Sequence, residues 1–210
     1  MDKRDIDYTL YLCTDRDLMS TPTLEQAVSE AILGGCTIIQ LREKYCTSRE
    51  FYELALSIRH ITKYYNVPLI INDRLDIAAA VDADGVHLGQ KDLPADVARI
   101  MLGDDKIIGV SANNIKTAVK AELDGADYIG VGAVFGTRTK TDTIPVSIQK
   151  LKEIRAAVKI PIVAIGGIKR SNIKLLNGTR IDGVAVVSAV LASNNITVAA
   201  RELKALFNPY

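Results

Sequence analysis

Residues 68–93 read PLIINDRLDIAAAVDADGVHLGQKDL. Two short apolar runs, 68–71 and 85–88, each end abruptly in polar groups: Asn72, Asp73 and Arg74 after the first, Gln90 and Asp92 after the second. Apolarity without alternation marks strands covered on both faces, as in a parallel sheet. The same unit recurs along the chain. Further runs rich in Val and Ile lie at 8–13, 37–41, 107–110, 128–131, 161–165 and 183–187, making eight in all.

Helical patterns fall between them. Residues 24–33 place apolar side chains at 24, 27, 28, 31 and 32, the spacing of one helix face, and 48–65, 115–123 and 148–158 read alike. Thr23, Ser48 and Ser147 are the expected N-caps, and Gly34, Gly35 and Gly125 the expected stops. Eight strands alternating with helices imply parallel strands joined by right-handed crossovers. An open doubly wound sheet usually has fewer strands and a glycine-rich turn after the first. Here TDRDLMS (14–20) follows the first strand and contains no glycine. The expected fold is therefore an α/β (β/α)8 TIM barrel, with residues 1–210 forming one catalytic domain.

The chain has 210 residues, 48% hydrophobic and 24% charged, which excludes disorder, collagen-like sequence and a coiled coil. Lys+Arg 26 against Asp+Glu 25 leaves a net charge of +1, so no global basic surplus points to nucleic acid or an anionic membrane. Three cysteines without a C-x-x-C, and two histidines, argue against a zinc cage and for reduced thiols in the cytoplasm. The N-terminus lacks the apolar core of a signal peptide, and no apolar run approaches the ~20 residues of a membrane span.

In such a barrel the strand C-terminal ends face one shared site. Those ends carry Gln40, Arg42 and Lys44; Asn72 and Asp73; Gln90 and Asp92; Ser111; Thr137, Arg138, Thr139 and Lys140; Gly166 and Gly167; and Ser188. Strand alternation, if the second strand persists, sends Gln40, Arg42 and Lys44 to one side, where the two cations suit a diphosphate. The other reading of QLREK is a solvated strand end neutralised by Glu43. Asp73 and Asp92, taken singly, read as helix caps. Taken together, on neighbouring strands ~5 Å apart and beside a basic motif, they read as ligands of one Mg²⁺.

GVGAVFGTRTKTD (130–142) misses the spacing of a Walker A loop or a dinucleotide fingerprint, yet can offer hydroxyls and Lys140 to phosphate oxygens. VAIGGI (163–168) and VVSA (186–189) fall where barrels hold a phosphate after strands seven and eight, at Gly167, Val187 and Ser188. Two anion stations result, one assisted by metal and one built from backbone. His87 faces the barrel interior or simply packs; His60 reads as surface, and Cys13 and Cys36 as packed thiols. Nothing reads as a Ser/His/Asp triad.

Eight strings in order, YLCTD, IIQLREK, LIINDRLDIA, ADGVHLGQKDLP, IIGVSA, GADYIGVGAVFGTRTK, PIVAIGGI and GVAVVSA, make the chain resemble the thiamine-phosphate synthase family from about residue 11 to residue 189. The resemblance implies a transferase that joins 4-amino-2-methyl-5-(diphosphooxymethyl)pyrimidine to thiazole phosphate and releases diphosphate. It implies that Gln40, Leu41, Arg42, Glu43, Lys44, Asn72, Ser111 and Lys140 bind the pyrimidine diphosphate. Arg42, Lys44, Lys140 and Ser111 would act in catalysis, and Asp73 and Asp92 would hold one Mg²⁺. Thr137, Arg138, Thr139, Gly167, Val187 and Ser188 would receive the thiazole phosphate. The partners are then small phosphorylated molecules, with a homo-oligomer compatible.

The sequence departs from the family pattern at Asn113, where His is frequent, at Ala133 and Gly136, where prolines are common, and at Asp82, where Gly is usual. Fewer prolines leave the loop after strand six less preorganised. The rivals are a thiazole phosphate tautomerase, a non-catalytic metabolite sensor and a phosphosugar or indole-forming barrel. The first needs no paired carboxylates, the second has no need of Asp73, Asp92 and Lys140, and the third shares only the glycine phosphate motif.

Overall fold

The computed structural model describes residues 3–136 and 145–208. Eight strands, β1 (Leu10–Cys13), β2 (Ile38–Leu41), β3 (Leu69–Asn72), β4 (Gly85–Leu88), β5 (Ile107–Ala112), β6 (Tyr128–Gly132), β7 (Ile162–Ile165) and β8 (Gly183–Val186), close in sequence order into a barrel. Every pair is parallel, and β1 meets β8 with Tyr11 opposite Ala185. All eight expected strands are present. β5 runs two residues further than its apolar run because Ser111 pairs with Gly130 and Ala112 with Val131, and β6 runs one further because Gly132 pairs with Ile165.

Helices α1 (Leu24–Leu33), α2 (Ser48–Tyr64), α3 (Leu75–Ala80), α4 (Ala95–Leu102), α5 (Ile115–Leu123), α6 (Ile148–Ala157), α7 (Ser188–Leu191) and α8 (Ile196–Leu206) cover the outside, and a 3-10 turn (Ile173–Leu176) replaces a helix after β7. Thr23 and Ser147 cap α1 and α6 as expected. At α2 the cap is Thr47 rather than Ser48. Thr47 Oγ1 accepts the Glu50 N–H at 3.2 Å and the Glu50 carboxylate accepts the Thr47 N–H at 2.7 Å. This reciprocal box satisfies two donors where Ser48 would satisfy one.

The strands are buried on both faces, as their unbroken apolarity requires. One core layer packs between strands and helices, around residues such as Leu12, Ile39, Phe51, Leu69 and Ile129. The other fills the barrel with Tyr8, Tyr11, Cys13, Ile38, Ile70, Ile107, Tyr128, Val163 and Ala185. Three tyrosines in so narrow a space need room. A Cβ on Gly109 would fall 2.1 Å from the Tyr128 ring, so that glycine admits the ring. Among the described residues no helix is long and apolar enough to cross a membrane.

Candidate functional site

β2 ends at Leu41, one residue before Arg42, so the three polar residues of QLREK do not share one strand face. Gln40 is buried inside the barrel, where its Nε2–H donates to the Tyr11 hydroxyl at 2.8 Å. Leu41 turns the other way, into the layer under the helices, and offers the rim only its backbone. Arg42 and Lys44 belong to the loop. The end of β1 fixes that loop: the Thr14 N–H donates to the Gln40 carbonyl at 2.9 Å, and the Arg42 N–H donates to Thr14 Oγ1 at 3.0 Å. The Arg42 guanidinium stands 4.0 Å from Asp15, and Arg16 pairs with Glu43 at 2.7 Å. The Glu43 carboxylate is thus turned away from a ligand in the barrel mouth, toward the neighbouring loop. Its Oε1 is buried and has no partner among the described residues.

β3 and β4 bring Asp73 and Asp92 together. Asp73 adopts φ +62°, a left-handed conformation that costs an L-residue roughly 1–3 kcal/mol and persists where surroundings impose it. Its N–H donates to the His87 carbonyl at 2.9 Å, and its carboxylate accepts from Lys44 Nζ at 2.6 Å. Asp92 Oδ2 accepts the Gly89 N–H at 2.7 Å. Neither aspartate caps a helix: Arg74 and Pro94 occupy those positions, without side-chain cap bonds.

The two carboxyls influence one another's ionisation. Burial raises the Asp73 carboxyl, but hydrogen bonds from Lys44 and Asp92 outweigh it and hold the pKa below the usual range. Burial, then Asp73 itself, raises Asp92 despite the Gly89 N–H. Two carboxylates forced to share a proton or a cation suit a dication. Among the described residues no third His, Cys, Asp or Glu completes a cluster. A metal held here keeps its remaining positions for water and phosphate oxygen, the habit of Mg²⁺.

Deeper in the barrel runs a chain of hydrogen bonds. From Gln40 it passes to Tyr11, then Tyr11 Oη to Tyr128 Oη at 2.7 Å, Tyr128 Oη to His87 Nδ1 at 2.9 Å, and His87 Nε2 to Ser111 Oγ at 2.9 Å. A Cβ on Gly130 would fall 3.0 Å from the His87 ring, so this glycine admits the imidazole as Gly109 admits Tyr128. Burial raises both phenols well above their ordinary pKa and keeps them protonated. Asn72, also buried, pairs with His87 in the β3–β4 register. Gln90 Nε2–H donates to the Ser111 carbonyl at 2.7 Å.

Across the mouth, Gly166 and Gly167 follow β7 with φ +106° and +62°, and a Cβ on Gly167 would fall 2.3 Å from the Gly136 carbonyl oxygen. Asn172 Nδ2–H donates to the Gly167 carbonyl at 2.9 Å and holds the turn. Val187 and Ser188 follow β8, with Ser188 exposed as the first residue of α7. Thr137, Arg138, Thr139 and Lys140 lie outside the described residues.

Tyr11 and Tyr128 are not recognisable in the sequence as site residues, because a tyrosine in an apolar run counts as core. Residues 14–16 are not recognisable either, because nothing local announces which loop they brace. His87, read as interior or packed, is interior and hydrogen-bonded at both ring nitrogens.

Comparison with known proteins covers the same stretch of chain. A sequence profile described as thiamine monophosphate synthase matches residues 10–190. The thiamine-phosphate synthase of Clostridium botulinum (strain Eklund 17B) is 59% identical, over 98% of this chain and 97% of its own. That of Clostridium tetani is 55% identical, over 99% of this chain and 100% of its own. The solved structure of thiamine phosphate pyrophosphorylase from Pyrococcus furiosus superposes with a TM-score of 0.88 at 40% identity, covering 96% of each chain. With the barrel closed, the acidic pair and basic loop on one rim, and this likeness running end to end, the chain belongs to the thiamine monophosphate synthase family.

Proposed function

We propose that the C-terminal rim performs thiamine-phosphate synthesis by breaking one bond before the next is made. The family makes the chain a transferase, and the residue roles follow from chemistry. Arg42, Lys44 and, from the loop after β6, Lys140 bind the diphosphate of the aminopyrimidine. The bond between its methylene carbon and the diphosphate oxygen breaks, and the electron pair leaves with the diphosphate. Negative charge grows on that oxygen in the transition state, so fixed cations aimed there accelerate the step. The electron-rich aminopyrimidine carries the methylene cation, oriented by Gln40, Asn72 and Ser111. The thiazole nitrogen then attacks the methylene carbon. Thr137, Arg138 and Thr139, with Gly167, Val187 and Ser188, hold the thiazole phosphate so that this approach is effectively intramolecular.

Asp73 and Asp92 fit one Mg²⁺, which when bound would supply further charge neutralisation to the leaving diphosphate. Lys44 then serves two partners, the Asp73 carboxylate and the diphosphate. No side chain need act as nucleophile or strong base, and among the described residues none in the mouth is placed as one. Three free cysteines agree with a reducing, cytoplasmic setting.

The observation that carries this reading is the 2.6 Å ion pair of Lys44 with Asp73, on the rim that also carries Asp92 and Arg42. Its test mixes the two phosphorylated substrates with the protein, with and without Mg²⁺, and follows thiamine phosphate. Formation only with Mg²⁺, and its loss by ~10²-fold or more in Asp73→Ala, is expected. Near-normal turnover of Asp73→Ala without added Mg²⁺ overturns the metal assignment.

A further inference from the structure

Glu43 sits in the chain between the two cations of the basic loop, where a carboxylate aimed at a diphosphate would repel it. Its side chain is only 6% exposed and is turned toward the loop after β1. Glu43 Oε2 accepts the Arg16 Nε–H at 3.0 Å and lies 2.7 Å from Arg16 Nη2. Glu43 Oε1 is buried and has no partner among the described residues. Two donors thus crowd one oxygen while the other goes without. A buried acceptor left without a donor is destabilising, and apolar side chains of like volume often replace a buried ion pair with no loss of stability. Stability alone therefore does not account for this pair.

Arg16 belongs to a segment that is itself tied down. Asp15 Oδ1 accepts the Asp17 N–H at 3.1 Å and caps the 3-10 turn Arg16–Leu18. Beyond the turn, Ser20 donates its N–H to the Leu191 carbonyl at 2.8 Å and its hydroxyl to the Ser193 carbonyl at 2.6 Å. Residues 14–20 are fixed at both ends, at Thr14 against β2 and at Ser20 against the end of α7. Glu43 is fastened to this support, and Arg42 and Lys44 are each one Cα step, about 3.8 Å, away from it.

We propose that Arg16 and Glu43 are positioning residues, whose ion pair anchors the chain between Arg42 and Lys44 and holds both cations in place before diphosphate arrives. The proposal rests on the reading of Arg42 and Lys44 as contacts of that diphosphate. Charge fixed in advance stabilises a leaving group without being gathered during the reaction. A misplacement of about 1 Å can cost ~10²-fold in rate. Freed from Arg16, the Glu43 segment would let both cations wander at once.

The test measures steady-state kinetics and thermal unfolding of wild type, Glu43→Leu, Arg16→Met/Glu43→Leu and Arg16→Lys. Glu43→Leu and the double variant should lower kcat/KM for the pyrimidine diphosphate about tenfold or more, and to the same extent, since either change breaks the one link. KM for thiazole phosphate should stay within about twofold of wild type, and Tm of the double variant at or above it. Arg16→Lys, which keeps the charge and one bond, should retain kcat/KM within about threefold. If Glu43→Leu does not fold, the double variant against Arg16→Lys decides. Wild-type kinetics in a folded Glu43 variant overturn the proposal, as does a loss of activity matched throughout by a fall in Tm. If Arg42→Ala leaves the dissociation constant of inorganic diphosphate with Mg²⁺ unchanged, it is instead the reading of the basic loop that fails.

Discussion

The two rims of this barrel are built on opposite rules. At the N-terminal rim, Thr37, Asp84, Asp127 and Asp182 stand just before β2, β4, β6 and β8, and each side chain accepts a backbone N–H of the preceding strand. The donors are Leu10 at 3.1 Å, Leu69 at 2.8 Å, Ile108 at 2.8 Å and Ile162 at 2.8 Å. The three aspartates also take an arginine from the helices α2, α4 and α6: Arg59 at 2.7 Å, Arg99 at 2.6 Å and Arg155 at 3.0 Å. One device, repeated every second βα unit, ties strand, helix and turn together and uses its charge internally. Among the described residues of the C-terminal rim nothing repeats. Arg42 stands 4.0 Å from Asp15, Lys44 pairs with Asp73 at 2.6 Å, and each described loop carries a different polar set. Periodic charge closes the barrel, and aperiodic charge is what the proposed function assigns to ligands.

That contrast fails if the two rims respond alike to mutation. Arg42→Ala should lower kcat by ~10²-fold or more while leaving the melting temperature nearly unchanged, as kinetics and thermal unfolding on one preparation would show. A large loss of stability with modest loss of rate would place Arg42 with the structural pairs instead. Asp127→Ala should do the reverse. It strands the Ile108 N–H and removes the partner of Arg99, costing about 2–3 kcal/mol, or roughly 5–10 °C in Tm, with kcat within a few-fold of wild type.

The difference between the rims also explains how much could be read from the sequence. The eight strands were legible because two-sided burial writes itself as uninterrupted Val and Ile, as at 38–39 and 107–108. Asp73 and Asp92 were legible as a pair because barrel closure puts successive strand ends side by side. Contacts made through space by residues remote in sequence were not. Tyr11 and Tyr128 meet across the barrel from β1 and β6, 117 positions apart, and each alone looks like any buried aromatic. The Thr47 cap was missed in favour of Ser48 because two adjacent hydroxyl residues compete, and only Glu50, three residues after Thr47, decides between them.

A smaller effect separates the two stations within the C-terminal rim. Ser188 is exposed at the start of α7, two strands round the barrel from Arg42. A hydroxyl donating to a phosphate oxygen makes a charge-assisted bond, so Ser188→Ala should raise KM for thiazole phosphate about tenfold. KM for the pyrimidine diphosphate should stay put. An effect confined to the pyrimidine substrate would merge the two stations into one.

The mildest probe uses the cysteines. Cys13 and Cys36 are buried, and that burial pushes each thiol up to about 12, so at pH 8 almost none of either is thiolate. Cys46 is half-buried, two residues after Lys44 in the loop that would fold over diphosphate. Iodoacetamide at pH 8 should therefore add one carbamidomethyl group per folded chain, at Cys46, as intact mass and peptide mapping would show. Diphosphate with Mg²⁺ should slow that reaction severalfold, because a ligand held by Arg42 and Lys44 restrains the loop, whereas neither should alter labelling once the chain is unfolded. Equal rates with and without diphosphate would mean that the basic loop does not close on the anion, and the distinction between a rim that binds and a rim that only braces would lose its dynamic half.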